Sequence, residues 1–340
     1  MPRGSEEAMR RREFITALGV GATWPLVAGA QQTAIPAIGF LHIGVADALA
    51  NSFLAAFRRG LKETGYAEGQ NVTVEYRFAE FESDRLPTLA ADLVHRNVAL
   101  IFELGGGAIP ALAAKAATST IPIVLVFGSD PVKLGLAASL NHPGGNVTGV
   151  TFFTTELVGK RIELLCELLP QARTIGYLRP QQSSVTLSDQ MEADAHTAAR
   201  ALGRQLVMVA VDKVEELNAA FSTLASEHAD ALVVGASPFL SSEESINRLV
   251  ALTLKNKLRA IHQYREFAET GGLVSYGANY AEASQQAGIY AGRILKGERP
   301  ADLPFQQSTK VELIINLRTA KLLGLTVPVS LLGRADEVIE

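Results

Sequence analysis

From Ala37 onward, short apolar runs alternate with amphipathic stretches of about ten to fifteen residues, the period switching between that of a strand and that of a helix. Ala37–His42 leads into a stretch with Phe53, Phe57 and Leu61 at spacing four, one helix face, which Gly65 ends. Val72–Phe78 alternates like a half-buried strand. Ile121–Phe127 is nearly all apolar, as expected of a strand covered on both faces. Helices over Leu86–His95 and Ala108–Ala117 and strands over Val98–Leu104 and Asn146–Phe153 complete a first set.

A second set starts at Leu157. Helices are expected over Leu157–Leu169, Leu187–Leu202, Val214–Ala225 and Ala281–Leu295, with another marked by Ile246, Leu249, Val250 and Leu254. Strands fall at Thr174–Leu178, Gln205–Val211, Ala231–Gly235, Arg259–Gln263, Gly272–Tyr276 and Val311–Ile315, before a short helix and a polar tail. Strands separated by helices make βαβ units and parallel sheets. Two successive sets predict an α/β fold of two doubly wound parallel-sheet lobes joined by a short hinge. Ligands of such sheets bind beyond the carboxyl ends of the strands, so facing lobes place the site in the cleft between them.

The first thirty residues carry an address. Arg11-Arg12-Glu13-Phe14-Ile15 is a twin-arginine pair, Ile15–Val27 is weakly apolar, and Ala28-Gly29-Ala30 is a small-x-small cleavage site. The apolar part is interrupted by Gly19, Gly21 and Pro25 and falls short of the roughly 20 residues of a spanning helix. Residues 1–30 are therefore expected to be an export signal, with Met1 or Met9 as the start, delivering the chain to the periplasm. Cleavage after Ala30 leaves 27 Lys+Arg against 32 Asp+Glu, moving the formal charge from -4 to -5. A mildly acidic chain argues against nucleic acid or an anionic membrane as main partner. Gln31 stands where a lipoprotein has its cysteine, so a free protein without a lipid anchor is expected, and a monomer.

Cys166 is the only cysteine, which excludes an intrachain disulfide and a cysteine-based metal site. With Val158, Ile162, Leu165 and Leu169 around it, it reads as a buried small hydrophobe rather than a reactive thiol. No two of the six histidines are closer than 32 residues, and there is no HExxH, GxSxG or P-loop pattern. Neither catalytic residues, nor a metal, nor a cofactor is expected.

What remains are polar groups at strand ends. Gly105-Gly106-Gly107-Ala108 follows a strand and opens a helix, but Pro110 spoils a dinucleotide fingerprint. The run reads either as a backbone cradle for a carboxylate or as a tight turn without a ligand. Ser129 and Asp130 could hold an ammonium, or Asp130 could simply cap a helix after Pro131. His42 ends the first strand. In the second set the strand ends supply Gln181, Ser237, Tyr264, Ser275 and Tyr276, the tyrosines suited either to stacking on an aromatic ligand or to lining the hinge.

Longer stretches carry a family likeness. They include Phe57-Arg58-Arg59-Gly60-Leu61-Lys62-Glu63-Thr64-Gly65-Tyr66, Asp130-Pro131-Val132-Lys133-Leu134-Gly135-Leu136 and Asn141-His142-Pro143-Gly144-Gly145-Asn146-Val147-Thr148-Gly149. Arg265-Glu266-Phe267-Ala268, Asn316-Leu317-Arg318-Thr319-Ala320-Lys321 and Arg334-Ala335-Asp336-Glu337-Val338-Ile339-Glu340 continue the series. In these the chain resembles the solute-binding proteins of ABC importers, tryptophan/tyrosine type. The resemblance implies a type I periplasmic-binding fold with crossovers near Phe152 and Tyr276. Lobe 1 would be residues 31–152 plus about 278–306, and lobe 2 residues 153–277 plus about 307–340. It further implies no catalysis and delivery of a small molecule, an amino acid or aromatic carboxylate, to ABC permease subunits. A sensing module for a receptor or kinase, or an exported enzyme, are the other classes this scaffold serves. Three loops depart from the family pattern: His42-Ile43-Gly44-Val45, Glu103-Leu104, and Arg179-Pro180-Gln181-Gln182-Ser183-Ser184.

Overall fold

The structure, a computed structural model, describes residues 35–152, 157–181 and 187–340. The expected export signal with its cleavage site, and Gln182, lie outside the described residues. Residues 36–340 form one compact unit built on two sheets.

The first sheet comes from the first strand–helix set. Strand β1 (Ala37–His42) leads to helix α1 (Ala48–Glu63), β2 (Thr73–Phe78) to α2 (Leu86–His95), β3 (Leu100–Leu104) to α3 (Ala108–Ala117), and β4 (Ile123–Phe127) to β5 (Val147–Thr151). All pairings among them are parallel, with β3 between β1 and β4 and β2 on one edge beside β1. Every residue of β4 is buried, as its unbroken apolar run requires. Phe40, Phe102 and Val124 face one layer of helices, and Leu41, Ile101 and Leu125 face the other.

The second sheet follows α4 (Leu157–Leu168). It contains β6 (Thr174–Arg179), β7 (Gln205–Ala210), β8 (Ala231–Val234), β9 (Arg259–His262) and β10 (Val274–Ala278). Their connecting helices are α5 (Leu187–Ala201), α6 (Leu217–Ser226), α7 (Glu243–Lys255) and the short α8 (Arg265–Glu269). The chain then returns to the first sheet: α9 (Tyr280–Leu295) packs along α1, and β11 (Gln306–Gln307) pairs with β5. Strand β12 (Val311–Asn316) goes back to the second sheet and runs antiparallel to β10, a departure from the all-parallel expectation. After α10 (Leu317–Leu322) and α11 (Val329–Leu332), the polar tail adds an edge strand, β13 (Glu337–Ile339), rather than ending as coil.

Helices α1 and α9 meet at glycines. A Cβ on Gly60 would lie 1.8 Å from the Gln285 carbonyl oxygen, and one on Gly288 2.0 Å from that of Phe57. Only hydrogen side chains permit backbones this close. Cys166 is buried and its thiol is pushed up by burial, in keeping with a packing role. No helix among the described residues is long and apolar enough to cross a membrane.

Candidate functional site

The carboxyl ends of strands from both sheets converge on a cavity of about 40 Å³. His42, Gly44 and Val45 reach it from the end of β1, and Leu104, Gly105 and Gly106 from the end of β3. The opposite wall is Pro238, Ser241 and Ser242, after β8, and Tyr264, after β9. Phe53 of α1, Phe81 and Tyr280 of α9 add aromatic surface.

The rings form a connected box. Tyr264 lies 4.6 Å from Tyr280 and 6.1 Å from Phe53, centroid to centroid, and Phe53 lies 5.6 Å from Tyr280. Tyr264, from the second sheet, thus packs into the aromatic core of the first. Phe81 meets Phe239 edge-on at 6.2 Å across the same gap. Phe81 holds φ +65°, uncommon for a bulky residue, and is fixed by its N–H donating to the Ile43 carbonyl at 2.7 Å. Burial pushes the phenol of Tyr280 up to about 12 and that of Tyr264 well above its ordinary range, so both act as neutral hydroxyls.

His42 lies 2.7 Å from the Leu104 carbonyl through Nδ1. A carbonyl can only accept, so Nδ1 carries the proton and Nε2, on the Gly44 side, is an acceptor. Burial lowers its pKa against the opposing pull of that hydrogen bond and of Asp47, and keeps the ring neutral. His262, fully buried at the end of β9, has the complementary tautomer. Its Nδ1 accepts from the Tyr264 N–H at 3.0 Å and its Nε2 faces the Leu240 carbonyl at 3.3 Å. Burial, with the nearby Arg161 charge, pushes its pKa down to about 3.

Two helix N-termini face each other at the rim. Asp47 caps α1 by accepting from the Ala50 N–H at 2.8 Å, and its other oxygen accepts from the Glu243 N–H, the first of α7, at 3.0 Å. Glu243 returns the contact, its Oε2 accepting from the Ala48 N–H at 2.9 Å. Ser242 caps α7 from its own side. Each carboxylate thus sits between two positive helix ends that would otherwise repel.

Of the residues singled out from sequence, His42, Gly105, Gly106 and Tyr264 line this cavity. Gly107 has φ +76° and precedes α3, whose first turn has no side-chain cap; Ala108 begins that helix, and neither lines the cavity. Asp130 is engaged in the capping arrangement, accepting from the N–H groups of Val132 at 2.9 Å and Lys133 at 3.3 Å. Ser129 is buried, its carbonyl accepting from the Thr151 hydroxyl. Gln181 is exposed, its N–H donating to Asp212. Ser237 is buried behind Pro238, and Ser275 and Tyr276 lie on β10. The sequence reading passed over Arg161, fully buried on α4, whose Nε donates to the Tyr276 carbonyl at 3.0 Å. The signal was present: Arg161 falls three residues after Val158 and four before Leu165, on the stripe taken as apolar. Phe81, Ser241 and Ser242 sit in loops without periodicity to mark them. No cluster of potential metal ligands occurs among the described residues.

Two sheets of mainly parallel strands, their carboxyl ends opposed across a cleft, define a type I periplasmic-binding fold, a class built to enclose small molecules. The profile of the family described as ABC transporter substrate binding protein matches residues 44–339, and the chain belongs to that family. Similar to it is a tyrosine-binding protein of Clostridioides difficile (strain R20291), 28% identical over 289 residues, 84% of this chain and 81% of the relative. An ABC domain in complex with L-Trp from Streptococcus pneumonia superposes with a TM-score of 0.78 at 25% identity, over 89% of this chain and 99% of that one. A ligand-free, open substrate binding protein with adhesive properties from Clostridium difficile gives 0.63 at 26% identity, over 90% and 99%.

Proposed function

We propose that this chain is the solute-capturing component of an ABC importer and that it binds an aromatic amino acid of the tryptophan or tyrosine kind. The observation that carries this reading is the set of rings Phe53, Tyr264, Tyr280 and Phe81, drawn from both sides of one cleft and edged by polar groups that include His42, Ser241, Ser242 and the Asp47 carboxylate. Aromatic walls offset-stack on an aromatic solute, and a few placed polar groups orient it. The names of the relatives support the same ligand class. His42, Gly105, Gly106 and Tyr264 are the contacts we assign to the solute.

Capture is by hinge closure. Tyr264 and Tyr280, from opposite walls, lie 4.6 Å apart, centroid to centroid, so the lobes separate to admit an aromatic solute and the rings part around it. The higher superposition score with the L-Trp complex than with the open protein, at near-equal identity, supports a closed arrangement here. The lobes we assign are residues 31–152 with 278–306, and 153–277 with 307–340. The chain works outside the inner membrane as an exported monomer freed of residues 1–30, docking on permease subunits and catalysing nothing.

The test is a thermal-shift screen of the chain from Gln31, refolded to remove carried-over solute, against amino acids, aromatic carboxylates and sugars. A ligand at 100 times its dissociation constant adds about 2.7 kcal/mol. The sequence after Ala30 contains no tryptophan, so binding of L-tryptophan is also readable from the ligand's own fluorescence. Shifts from tryptophan or tyrosine are expected. Shifts only from sugars or from non-aromatic acids refute the ligand class.

A further inference from the structure

We infer that Arg161 is the receptor for the solute's carboxylate, a role that rests on the aromatic amino acid reading above. Arg161 is 0% exposed, yet only its Nε has a partner: Nη1 and Nη2 have no hydrogen-bond partner among the described residues. No carboxylate among the described residues accepts from it, and the buried Glu103 also has both oxygens unpartnered. A guanidinium stays charged in a protein, and an uncompensated buried charge is costly to retain.

Its surroundings say what would compensate it. The groups that feel its charge are the phenols of Tyr177, Tyr264, Tyr276 and Tyr280 and the neutral imidazole of His262. Tyr264 and Tyr280 are two walls of the aromatic box; Arg161 itself does not line the cavity in this arrangement, so its fork meets a solute only once those rings part. The Nε bond to the Tyr276 carbonyl fixes the plane of the guanidinium, leaving its two terminal nitrogens as a fork. A fork of this kind matches a carboxylate through two parallel charge-assisted hydrogen bonds. An aromatic amino acid with its ring among Phe53, Tyr264 and Tyr280 is anchored at one end by stacking and at the other by this fork. A lysine, a point charge without the fork, would serve less well.

The test pairs ligands with variants of the full chain, read by titration calorimetry. L-tryptophan is compared with tryptamine and L-tyrosine with tyramine; each pair shares ring and ammonium and differs in the carboxylate. Wild type is expected to prefer the acid by about 100-fold or more. In Arg161→Met the acid loses affinity by a similar factor and the preference falls to within about threefold. Arg161→Lys falls between. The ligand comparison in wild type stands even where Arg161→Met does not fold. Equal binding of acid and amine by wild type overturns the assignment, as does an Arg161→Met that keeps the full preference. If only non-aromatic carboxylates bind, and bind weakly to Arg161→Met, the aromatic reading falls and the role of Arg161 stands.

Discussion

Asp47 and Glu243 exchange their carboxylates between the first turns of α1 and α7, and under the proposed hinge closure this pair is expected to bias the ligand-free protein toward the closed form. Glu243→Ala isolates the effect. It leaves both own-helix caps intact, from Asp47 to Ala50 and from Ser242 to Ser245, and removes only the bond to the Ala48 N–H. A hydrogen bond of this kind is worth about 0.5–1.5 kcal/mol, and a carboxylate at a helix N-terminus about 0.3–1 kcal/mol. The closed form therefore loses about 1–2 kcal/mol relative to the open one, a five- to thirtyfold change in population. Small-angle scattering of the ligand-free chain should show a larger radius of gyration in Glu243→Ala, and saturating solute should restore the wild-type value. Apparent affinity should fall, because the solute must now do more of the closing. Asp47→Ala should show the same expansion and, in addition, a lower melting temperature from the lost cap, worth about 1 kcal/mol. An unchanged radius in both variants would refute the idea that these contacts bias closure.

Two further outcomes follow from packing and burial. Gly288→Ala drives a methyl to 2.0 Å from the Phe57 carbonyl oxygen, which no rotamer change relieves; separating α1 from α9 should cost about 1–3 kcal/mol or more in urea melts. Gly159→Ala, whose methyl meets only the Ala198 Cβ at 3.6 Å, should be neutral or stabilising, and equal losses in the two would refute the close-approach argument. The folded-state pKa of His262, about 3, lies below its unfolded value near 6.5, so its contribution is complete above about pH 6.5 and is lost as pH falls toward 3. Between pH 7 and 4 this amounts to roughly 3 kcal/mol, and His262→Phe, stacking on Phe267, should flatten that part of the stability curve. An unchanged slope would show that other groups carry the acid sensitivity.

The fold was legible where periodicity is strong. The helix marked by Phe53, Phe57 and Leu61 and the unbroken apolar run of β4 both form as their spacing requires, because burial on one face or two leaves few alternatives. The misses are short or at edges. Strand β13 is three residues flanked by acids, and only its pairing with β12 makes it a strand. The antiparallel step from β10 to β12 follows from the chain visiting the first sheet between them, which no local pattern records. At the site, glycines and strand ends gave His42, Gly105, Gly106 and Tyr264. Asp130, by contrast, spends its side chain on a local cap, an alternative equally visible in Ser129-Asp130-Pro131.

The place of Arg161 on a buried stripe was legible in its spacing, but its role was not, and the reason bears on selectivity. The phenols that interact with its charge come from residues distant in sequence, Tyr177 from β6, Tyr264 after β9, Tyr276 from β10 and Tyr280 from α9, and no local pattern brings them together. The proposed closure would remove water from all of them at once. Closing on a neutral solute would seal in an unpaired guanidinium, whereas closing on a carboxylate satisfies both free nitrogens in the same step. A ligand shifts the open–closed balance only by its preference for the closed state, and the proposed Arg161 contact would put that preference largely in the ligand's charge. With the proposed role of Arg161, discrimination is expected to act on closure itself: an aromatic amine would stack in the box but would not hold the lobes together.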